Sequence, residues 1–549
     1  MEIAKSVKEN KPIDLTMGTA NVIWQGDANE MAVRALHNCE VPAKILNITG
    51  PETVSVQWLA EQFGKMFRQT PKFINEEKQN YLISAIYNFI IFKLYIMKKI
   101  DFTRRHFVAT VTTASIAAAF SNSITALGRT GFKDLGKLAI LGGTPIRTRG
   151  WLNWPAILAD EKVIASILKT TKSGNWSRIQ SPTGTVATFE KEYANLMGAK
   201  FCVGTGSGTQ ALSTCVEALG IGPGDEVITS PYTDFGTISS IIGSRALPVM
   251  ADLDRESYQL DPEDLEKKIN KNTKAIMPVH MMGMPANMER IMAISLKHNL
   301  RVIEDACQGN FAQYQGKQVG TLGNLGCFSF QASKQISCGE GGAIIGNDEV
   351  LMDKVYTVQN HGTNRDGHHV TIGPKYRMNE LEGAILLGQL PGAKERFDRR
   401  NKNAAYLSSK LKGFPGVVPQ KQYKGTQSGG YYLYAMSYHK EHFNNADRSK
   451  FLKAIEAEGV GLSPYIRGLH TEPWVDHILS LKEYKTMYSA ARLVQYREAL
   501  NLPNCDLVGQ EMMVLNGSSQ LLGTRADMDD VINAIMKIYE NRDKLQSIK

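Results

Sequence analysis

The sequence predicts an α/β protein built on a mostly parallel sheet with helices on both faces. From Leu138 onward, short runs rich in Val and Ile alternate with helical segments that end at glycine, as in residues 218–232, 273–283 and 298–308. Strands that alternate with helices favour a parallel sheet covered on both sides. Ligands of such sheets gather beyond the carboxyl ends of the strands, so the residues that follow each strand are candidates for a site.

Composition and charge narrow the class of protein. The chain has 549 residues, of which 43% are hydrophobic and 21% charged, as in ordinary globular proteins. Its net charge of +9 is not concentrated in a basic run, so we expect no nucleic-acid partner. The seven cysteines are scattered and form no Cys-X-X-Cys pair, which predicts neither a disulfide framework nor a bound metal.

Two segments, residues 1–80 and 81–96, precede the regular part of the chain. Residues 44–67 predict a strand, a Gly-Pro turn and an amphipathic helix. They belong to a fragment, residues 1–80, in which about residues 11–70 resemble the C-terminal end of NAD-dependent sugar epimerase/dehydratase proteins. The fragment lacks the glycine-rich turn needed to bind nicotinamide. Residues 81–96 are apolar but short for a membrane span, so we expect no stable span there.

Residues 97–134 resemble a twin-arginine (Tat) export signal and its linker. Two lysines, the pair Arg104-Arg105 and an apolar stretch rich in Ala, Thr and Val follow Met97. Because a signal belongs at the start of a chain, we expect translation to begin at Met97 and the protein to reach the periplasm, residues 1–96 being the end of a neighbouring reading frame. Otherwise the protein is cytoplasmic or a fusion anchored by its apolar segment, and the signal is an ordinary buried helix.

A glycine-rich turn follows the first strand of the regular region. Residues 201–204 predict a strand, and Gly206-Ser207-Gly208-Thr209 then lead into a helical run. Glycines let an anion approach the backbone, and the N-terminus of a helix offers unpaired N–H groups and a partial positive charge. The turn therefore predicts a phosphate site, the alternative being a tight turn with a capped helix.

A carboxylate and a lysine follow later strands. Asp305 ends an apolar strand at residues 300–304, where it needs a cationic partner unless it caps the next helix. Lys334 lies between two strands in residues 326–348, a segment that also contains a Gly-Glu-Gly-Gly turn. A lysine for a Schiff base, a carboxylate for a pyridinium nitrogen and a phosphate pocket are the parts of a pyridoxal phosphate (PLP) site.

These motifs together resemble the DegT/DnrJ/StrS family of PLP-dependent sugar aminotransferases, which have fold type I. The resemblance runs from about Leu138 to the C-terminus and implies a PLP-binding large domain at residues 135–390 and a smaller α+β domain at 391–549. The motifs that carry it are GIGPGDEVI (220–228), DLDRESYQLDP (252–262), PVHMMGMPANM (278–288), VIEDACQ (302–308), CFSFQASK (327–334), GEGG (339–342) and QNHG (359–362).

The resemblance also implies roles for individual residues. Lys334 and Asp305 are the implied catalytic residues: the lysine forms the Schiff base and then moves a proton between the amino donor and the cofactor, and the aspartate pairs with the ring nitrogen. The other implied cofactor ligands are Gly208, Thr209 and Ser329 at the phosphate, Gln308 near the phenolic oxygen and Lys375.

The chain departs from the family pattern at two positions. Asp234 stands where the family usually places Trp or Phe against the cofactor ring, and Tyr232 and Phe235 are the aromatic candidates beside it. Lys375 stands where the family commonly has an Asn that reaches the neighbouring subunit's phosphate, a role a lysine serves as a point charge. Arg377 matches the family. The aromatic run 431–434 predicts a strand of the smaller domain.

The resemblance implies a homodimeric aminotransferase with shared active sites. Its amino donor would be glutamate or glutamine, and its acceptor a keto-sugar or keto-cyclitol. A PLP-dependent sugar dehydratase is an alternative, although those enzymes typically replace the lysine with histidine, whereas Lys334 is present here. A binding or regulatory protein that has kept the PLP fold is the alternative from another class, and the substitution at Asp234 motivates it.

Overall fold

The computed structural model describes residues 136–152, 161–180 and 182–548, together with the backbone of four short strands nearer the N-terminus. The chain divides into two compact units, residues 1–131 and 132–549. In the described part of the chain, no helix combines the length and apolarity that crossing a bilayer requires.

The four strands of the first unit form two small sheets. Strands β1 (Pro12–Asp14) and β4 (Lys72–Ile74) pair in parallel, and β2 (Thr19–Val22) and β3 (Glu52–Ser55) pair antiparallel. Because β3 begins one residue after Pro51, no helix starts directly after the Gly-Pro pair. The rest of the predicted helix, the apolar segment 81–96 and the signal-like segment 97–134 lie outside the described residues.

The second unit is built on a seven-stranded sheet, as the sequence predicts. Its order is β5-β13-β12-β9-β8-β6-β7, with every neighbouring pair parallel except the two that involve β13. The mostly parallel α/β fold is therefore confirmed. The strands of this region are β5 (Phe201–Thr205), β6 (Glu226–Thr229), β7 (Leu247–Met250), β8 (Thr273–Met277), β9 (Arg301–Asp305), β10 (Gln313–Tyr314), β11 (Lys317–Gln318), β12 (Leu325–Ser329) and β13 (Gly342–Gly346).

Helices cover both faces of this sheet. Successive side chains of a strand point to opposite faces, so each strand packs against helices on both sides. Ile344 packs in one apolar cluster with Cys215 and Val355, and its neighbour Ile345 packs in another with Phe189 and Leu386. The helices of this region are α1 (Glu161–Ser173), α2 (Thr185–Met197), α3 (Gly208–Ala218), α4 (Phe235–Gly243), α5 (Pro262–Lys268), α6 (Met288–Lys297), α7 (Glu349–Gln359) and α8 (Glu380–Leu411).

The C-terminal region forms the smaller α+β domain. Strands β14, β16 and β17 make an antiparallel sheet, and β15 pairs with β10 of the large domain. Its elements are β14 (Val417–Pro419), β15 (Thr426–Ser428), β16 (Leu433–Tyr438), α9 (Arg448–Ala457), α10 (Trp474–Ser480), α11 (Lys482–Met487), α12 (Ala490–Glu498), α13 (Pro503–Glu511), β17 (Met512–Asn516) and α14 (Arg525–Glu540).

The two domains are joined more closely than the sequence suggests. The expected boundary after residue 390 falls inside helix α8, which continues through Pro391. Residues 136–147, assigned by sequence to the large domain, pack on the small one: Leu138 lies in its core, and Arg147 Nη1 contacts Asp527 Oδ1 at 2.6 Å. The reason is burial: Leu138, Leu141 and Ile146 pack in an apolar cluster formed mainly by the small domain.

Candidate active site

The sheet brings the predicted site residues to one edge. Cys327 of β12 pairs with Asp305 of β9, and Gly342 of β13 pairs with both Ser329 and Thr205. The carboxyl ends of β5, β9 and β12 therefore lie side by side. Because the motifs follow these strands in the sequence, the fold alone gathers the glycine-rich turn, the aspartate and the serine.

The glycine-rich turn ends at the N-terminus of α3. Ser207 is the N-cap residue, and its hydroxyl accepts the N–H of Gln210 at 3.2 Å. The N–H groups of Gly208 and Thr209 lie in the first turn, where a helix provides no acceptor for them. The turn is thus a capped helix and also an anion site in geometry, so the two interpretations of the sequence are compatible.

Gly208 lets this helix approach strand β12. A Cβ atom added at Gly208 would lie 2.8 Å from Ser329 Cβ and 2.9 Å from Cys307 Sγ, closer than real Cβ contacts. Ser329 is buried, and its hydroxyl oxygen accepts the N–H of Gln331 at 3.3 Å, which leaves its proton free to donate. The helix N-terminus and the Ser329 hydroxyl thus face the same position.

Asp305 is a buried carboxylate held by neutral donors. It is 4% exposed, and its oxygens accept the hydroxyl of Thr237 at 2.7 Å and the N–H of Cys307 at 3.2 Å. No helix begins after it, so the capping alternative is wrong. Among the described residues no Lys, Arg or His forms an ion pair with it, so this carboxylate still lacks the cationic partner that burial demands.

Lys334 lies in the loop between β12 and β13. Its N–H donates to the carbonyl of Gln331 at 2.8 Å, and its Nζ lies 4.1 Å from the centroid of the Tyr432 ring. The next residue ties the loop to its surroundings, because Gln335 Nε2 donates to the carbonyls of Gln308 at 2.6 Å and Gly430 at 3.2 Å. The lysine is therefore presented by a loop anchored in both domains.

Cys307 is a thiol beside the candidate site. Burial raises the pKa of this thiol well above its usual range, the Asp305 carboxylate raises the pKa further, and the charge of Lys334 opposes both effects. It remains a neutral thiol and does not compete with Lys334 as a nucleophile.

Gln308 is fixed at the junction of the domains. Its Oε1 accepts the N–H of Met282 at 2.8 Å, and its Nε2 donates to the hydroxyl of Tyr465 at 3.2 Å. Burial raises the pKa of Tyr465, with smaller contributions from Tyr432 and Asp234, so this phenol is protonated. One amide N–H of Gln308 remains for the phenolic oxygen of a cofactor.

The structure explains Asp234 as a helix cap. Its Oδ1 accepts the N–H of Gly236 at 2.8 Å at the start of α4. The aromatic candidates beside it make other contacts: the buried Tyr232 lies against Tyr465, with ring centroids 6.2 Å apart, and Phe235 lies against Trp474 at 5.9 Å. Both aromatic residues predicted to stack on the cofactor ring therefore contact other aromatic side chains of the chain. A third aromatic residue, Tyr432, has Lys334 Nζ over its ring.

Lys375 is an exposed residue two positions before Arg377. Its backbone pairs with Asn360. The residues that follow it border the glycine-rich turn, since the carbonyl of Tyr376 accepts the N–H of Gly206 at 2.8 Å and Arg377 pairs with Thr205. The side chain of Lys375 makes no ion pair with any described residue, so no such contact within one chain ties it to the other predicted ligands.

Three site residues are not evident from the sequence. Thr237 holds Asp305, Tyr465 holds Gln308, and Tyr432 contacts Lys334. Tyr432 falls within the aromatic run predicted to be a strand, but the strand begins at Leu433. Because Tyr432 lies one residue before the strand, its position is what distinguishes it from the buried strand residues of the same run.

The assembled residues fit pyridoxal phosphate. Asp305 lacks a cation, which a protonated ring nitrogen supplies, and the N-terminus of α3 with Ser329 offers donors to a phosphate. Lys334 provides the primary amine that carbonyl chemistry requires. Fold and site together define a PLP-dependent transaminase of fold type I.

Comparison with known proteins assigns the family. Residues 158–514 match the DegT/DnrJ/EryC1/StrS aminotransferase family, and the chain belongs to this family of PLP-dependent enzymes. It is 31% identical to the L-glutamine:2-deoxy-scyllo-inosose aminotransferase of Micromonospora echinospora, over 74% of this chain and 99% of that one. The enzyme of the same name from Streptoalloteichus tenebrarius is 30% identical, over 75% and 99%.

Solved structures agree with this assignment. The crystal structure of an aminotransferase from Psychrobacter cryohalolentis superposes with a TM-score of 0.63 at 25% identity, covering 71% of this chain and 99% of that one. The family and the fold class expected from the sequence are confirmed.

Replacing Gly208 with alanine tests the phosphate site. In Gly208→Ala the new methyl group pushes Ser329 and the N-terminus of α3 apart, so we expect the affinity for PLP to fall about tenfold or more. Absorbance titration of the cofactor-free protein measures this. Gly222→Ala is the matched control, because the nearest atom to its added Cβ is 3.8 Å away. Equal affinities of the two variants would contradict the assignment.

Proposed function

We propose that the protein transfers an amino group from L-glutamine or L-glutamate to the carbonyl carbon of a keto-cyclitol or keto-sugar. The observation that carries the proposal is that Asp305, the N-terminus of α3 and the loop of Lys334 all lie at the carboxyl ends of neighbouring strands of one sheet. The relatives named above use L-glutamine and a deoxy-inosose, a keto-cyclitol, which supports this pair of substrates.

The residues of the chain divide the work of this reaction. PLP, when bound, supplies an aldehyde and a ring that withdraws electrons from the substrate carbon. Asp305, oriented by Thr237, keeps the proton on the ring nitrogen, and the α3 N-terminus and Ser329 hold the phosphate. Lys334 Nζ would accept the proton of the donor's α-carbon and give it to the cofactor, and it would move a proton from the cofactor to the acceptor's carbon when the acceptor is aminated.

The competing functions lose their motivation. A dehydratase of this family typically has histidine at the position of Lys334, and the two relatives named above are aminotransferases. Asp234, which motivated a binding protein without catalysis, is the N-cap of α4, and Lys334 and Asp305 are both present. The alternatives therefore explain less than aminotransfer does.

The protein acts as a homodimer in which Lys375 serves the site of the partner subunit. Lys375 is exposed, and so are several apolar side chains close to it in the sequence. Others are exposed near Ser177, whose backbone is bridged to that of Asn379. Such a group of apolar residues marks an interaction surface. The exposed residues are Trp176 at 54%, Ile179 at 64%, Val370 at 61%, Ile372 at 90% and Leu381 at 37%.

The protein is exported through the Tat route from a start at Met97. This route carries folded proteins, which suits an enzyme that must fold around PLP in the cytoplasm. Nucleotide-linked sugars are cytoplasmic, so an exported enzyme takes a free sugar, a cyclitol or a precursor of a cell-surface polysaccharide. A keto-cyclitol acceptor agrees with this location.

The first half-reaction tests the proposed function. Protein loaded with PLP is expected to show an absorbance band that L-glutamine or L-glutamate converts to that of the aminated cofactor. Lys334→Ala should lack the native band, whereas Lys317→Ala, a control on the exposed hairpin of β10 and β11, should keep it. A wild-type protein without a band, or with a band that no donor alters, would contradict aminotransfer.

Mixed dimers test the shared site. Lys334→Ala and Lys375→Ala are each expected to be nearly inactive as pure dimers, whereas co-expression should restore about a quarter of wild-type activity. The reason is that half of the dimers are mixed, and one site in each then has both its own Lys334 and the partner's lysine. If Lys375 acts within its own chain, or if sedimentation shows a monomer, no activity returns.

Cell fractionation and N-terminal sequencing test export. The native protein is expected in the periplasm, with an N-terminus beyond the segment at 97–128. Replacing Arg104 and Arg105 with lysine should hold it in the cytoplasm, and the conservative pair Lys98→Arg and Lys99→Arg should not. A cytoplasmic protein that starts at Met1 would refute this location and return nucleotide sugars to first place.

A further inference from the structure

The contact between Lys334 and Tyr432 joins the two domains at the reacting atom. Lys334 Nζ lies 4.1 Å from the Tyr432 ring centroid, well within the distance at which an ammonium is attracted to an aromatic face. No Asp or Glu of the described residues forms an ion pair with this lysine. Among the described residues, the Tyr432 ring is therefore the partner against which the end of this side chain lies.

The side chain of Tyr432 is fixed at its far end. Its hydroxyl lies 3.0 Å from the Oγ of Ser333, the residue before Lys334, and Ser333 is buried. The same loop thus presents the lysine and holds the phenol. The ring cannot turn away from Nζ without breaking this hydrogen bond.

The backbone of Tyr432 is fixed as well. Its carbonyl accepts the N–H groups of Gly517 at 3.0 Å and Ser518 at 3.1 Å. The carbonyls of these two residues accept hydrogen bonds from the buried guanidinium of Arg400, at 3.2 and 3.0 Å, and Arg400 Nη2 also reaches the carbonyl of Gln335 at 3.5 Å. Arg400 therefore connects the segment behind the tyrosine to the loop that carries the lysine.

We propose that Tyr432 positions Lys334 for catalysis, its ring face holding the amine beside the reacting carbon whenever the lysine is not bound to the cofactor. The inference rests on the proposed function, because it concerns the same lysine. A lysine side chain that is not bound to the cofactor is flexible, and holding it in one conformation costs conformational entropy. Because the aromatic face is already fixed in the folded protein, it lowers this cost at the time of reaction, and Nζ stays within reach of the proton that it must transfer.

Variants of Tyr432 separate the ring from its hydroxyl. Tyr432→Leu removes the face, and we expect about a tenfold decrease in two rates: the absorbance change when PLP is added to cofactor-free protein, and the change when L-glutamine is added to loaded protein. The glutamine concentration for half-maximal rate should stay unchanged, because the ring acts on the lysine. Tyr432→Phe keeps the face and should remain within about threefold of wild type.

Tyr406→Leu is the matched control. Tyr406 also faces a cation, Arg525, 3.5 Å from its ring centroid, but lies on α8 away from the site. Its loss should leave both rates unchanged, and thermal unfolding of all three variants separates rate effects from misfolding. Wild-type rates in Tyr432→Leu, or equal losses in Tyr432→Phe and Tyr432→Leu, would overturn the inference. If wild-type protein forms no band with PLP, the proposed function fails instead.

Discussion

A buried carboxylate without a cationic partner is the constraint on which this site depends. Asp305 ends a central strand with 4% of its surface exposed, and its donors are a hydroxyl and a backbone N–H. Such a group is costly inside a protein unless a positive charge meets it. The protonated ring nitrogen of PLP supplies that charge. The same ion pair therefore stabilises the buried carboxylate and keeps the cofactor ring protonated. Thr237 and the strand hold the carboxylate where this occurs.

Around this group the site is assembled from two domains. The large domain contributes the strand ends, the N-terminus of α3 and the lysine loop, and the small domain contributes Tyr432 and Tyr465. Arg400 lies fully buried among carbonyl oxygens at this junction, and burial together with the nearby Arg396 lowers its pKa to about 9. A buried cation with such partners is sensitive to displacement. The relative position of the domains, and so of lysine and tyrosine, is thereby set by the same contacts that hold the domains together.

The departures from the family pattern become understandable at the level of local structure. Asp is among the preferred N-cap residues, and Asp234 caps α4. Helix capping therefore explains this aspartate without the assumption that the protein has lost catalytic activity. For Lys375 the explanation rests on the proposed homodimer: the lysine has no ion-pair partner among the described residues, and in the proposed dimer it would serve the site of the partner subunit.

The sequence by itself determined the α/β class, and it predicted a site at the carboxyl ends of the strands with Asp305 and Lys334 as candidates. These features depend on local patterns: strand runs, a glycine-rich turn before a helix, and polar residues directly after strands. Tertiary structure alone decided that Tyr432 meets Lys334, that Thr237 orients Asp305 and that residues 136–147 join the small domain. These pairs are separated by tens to hundreds of residues, and each partner has an ordinary local sequence. Contacts of this kind arise only when the chain packs, since periodicity and spacing carry no information about which distant surfaces meet.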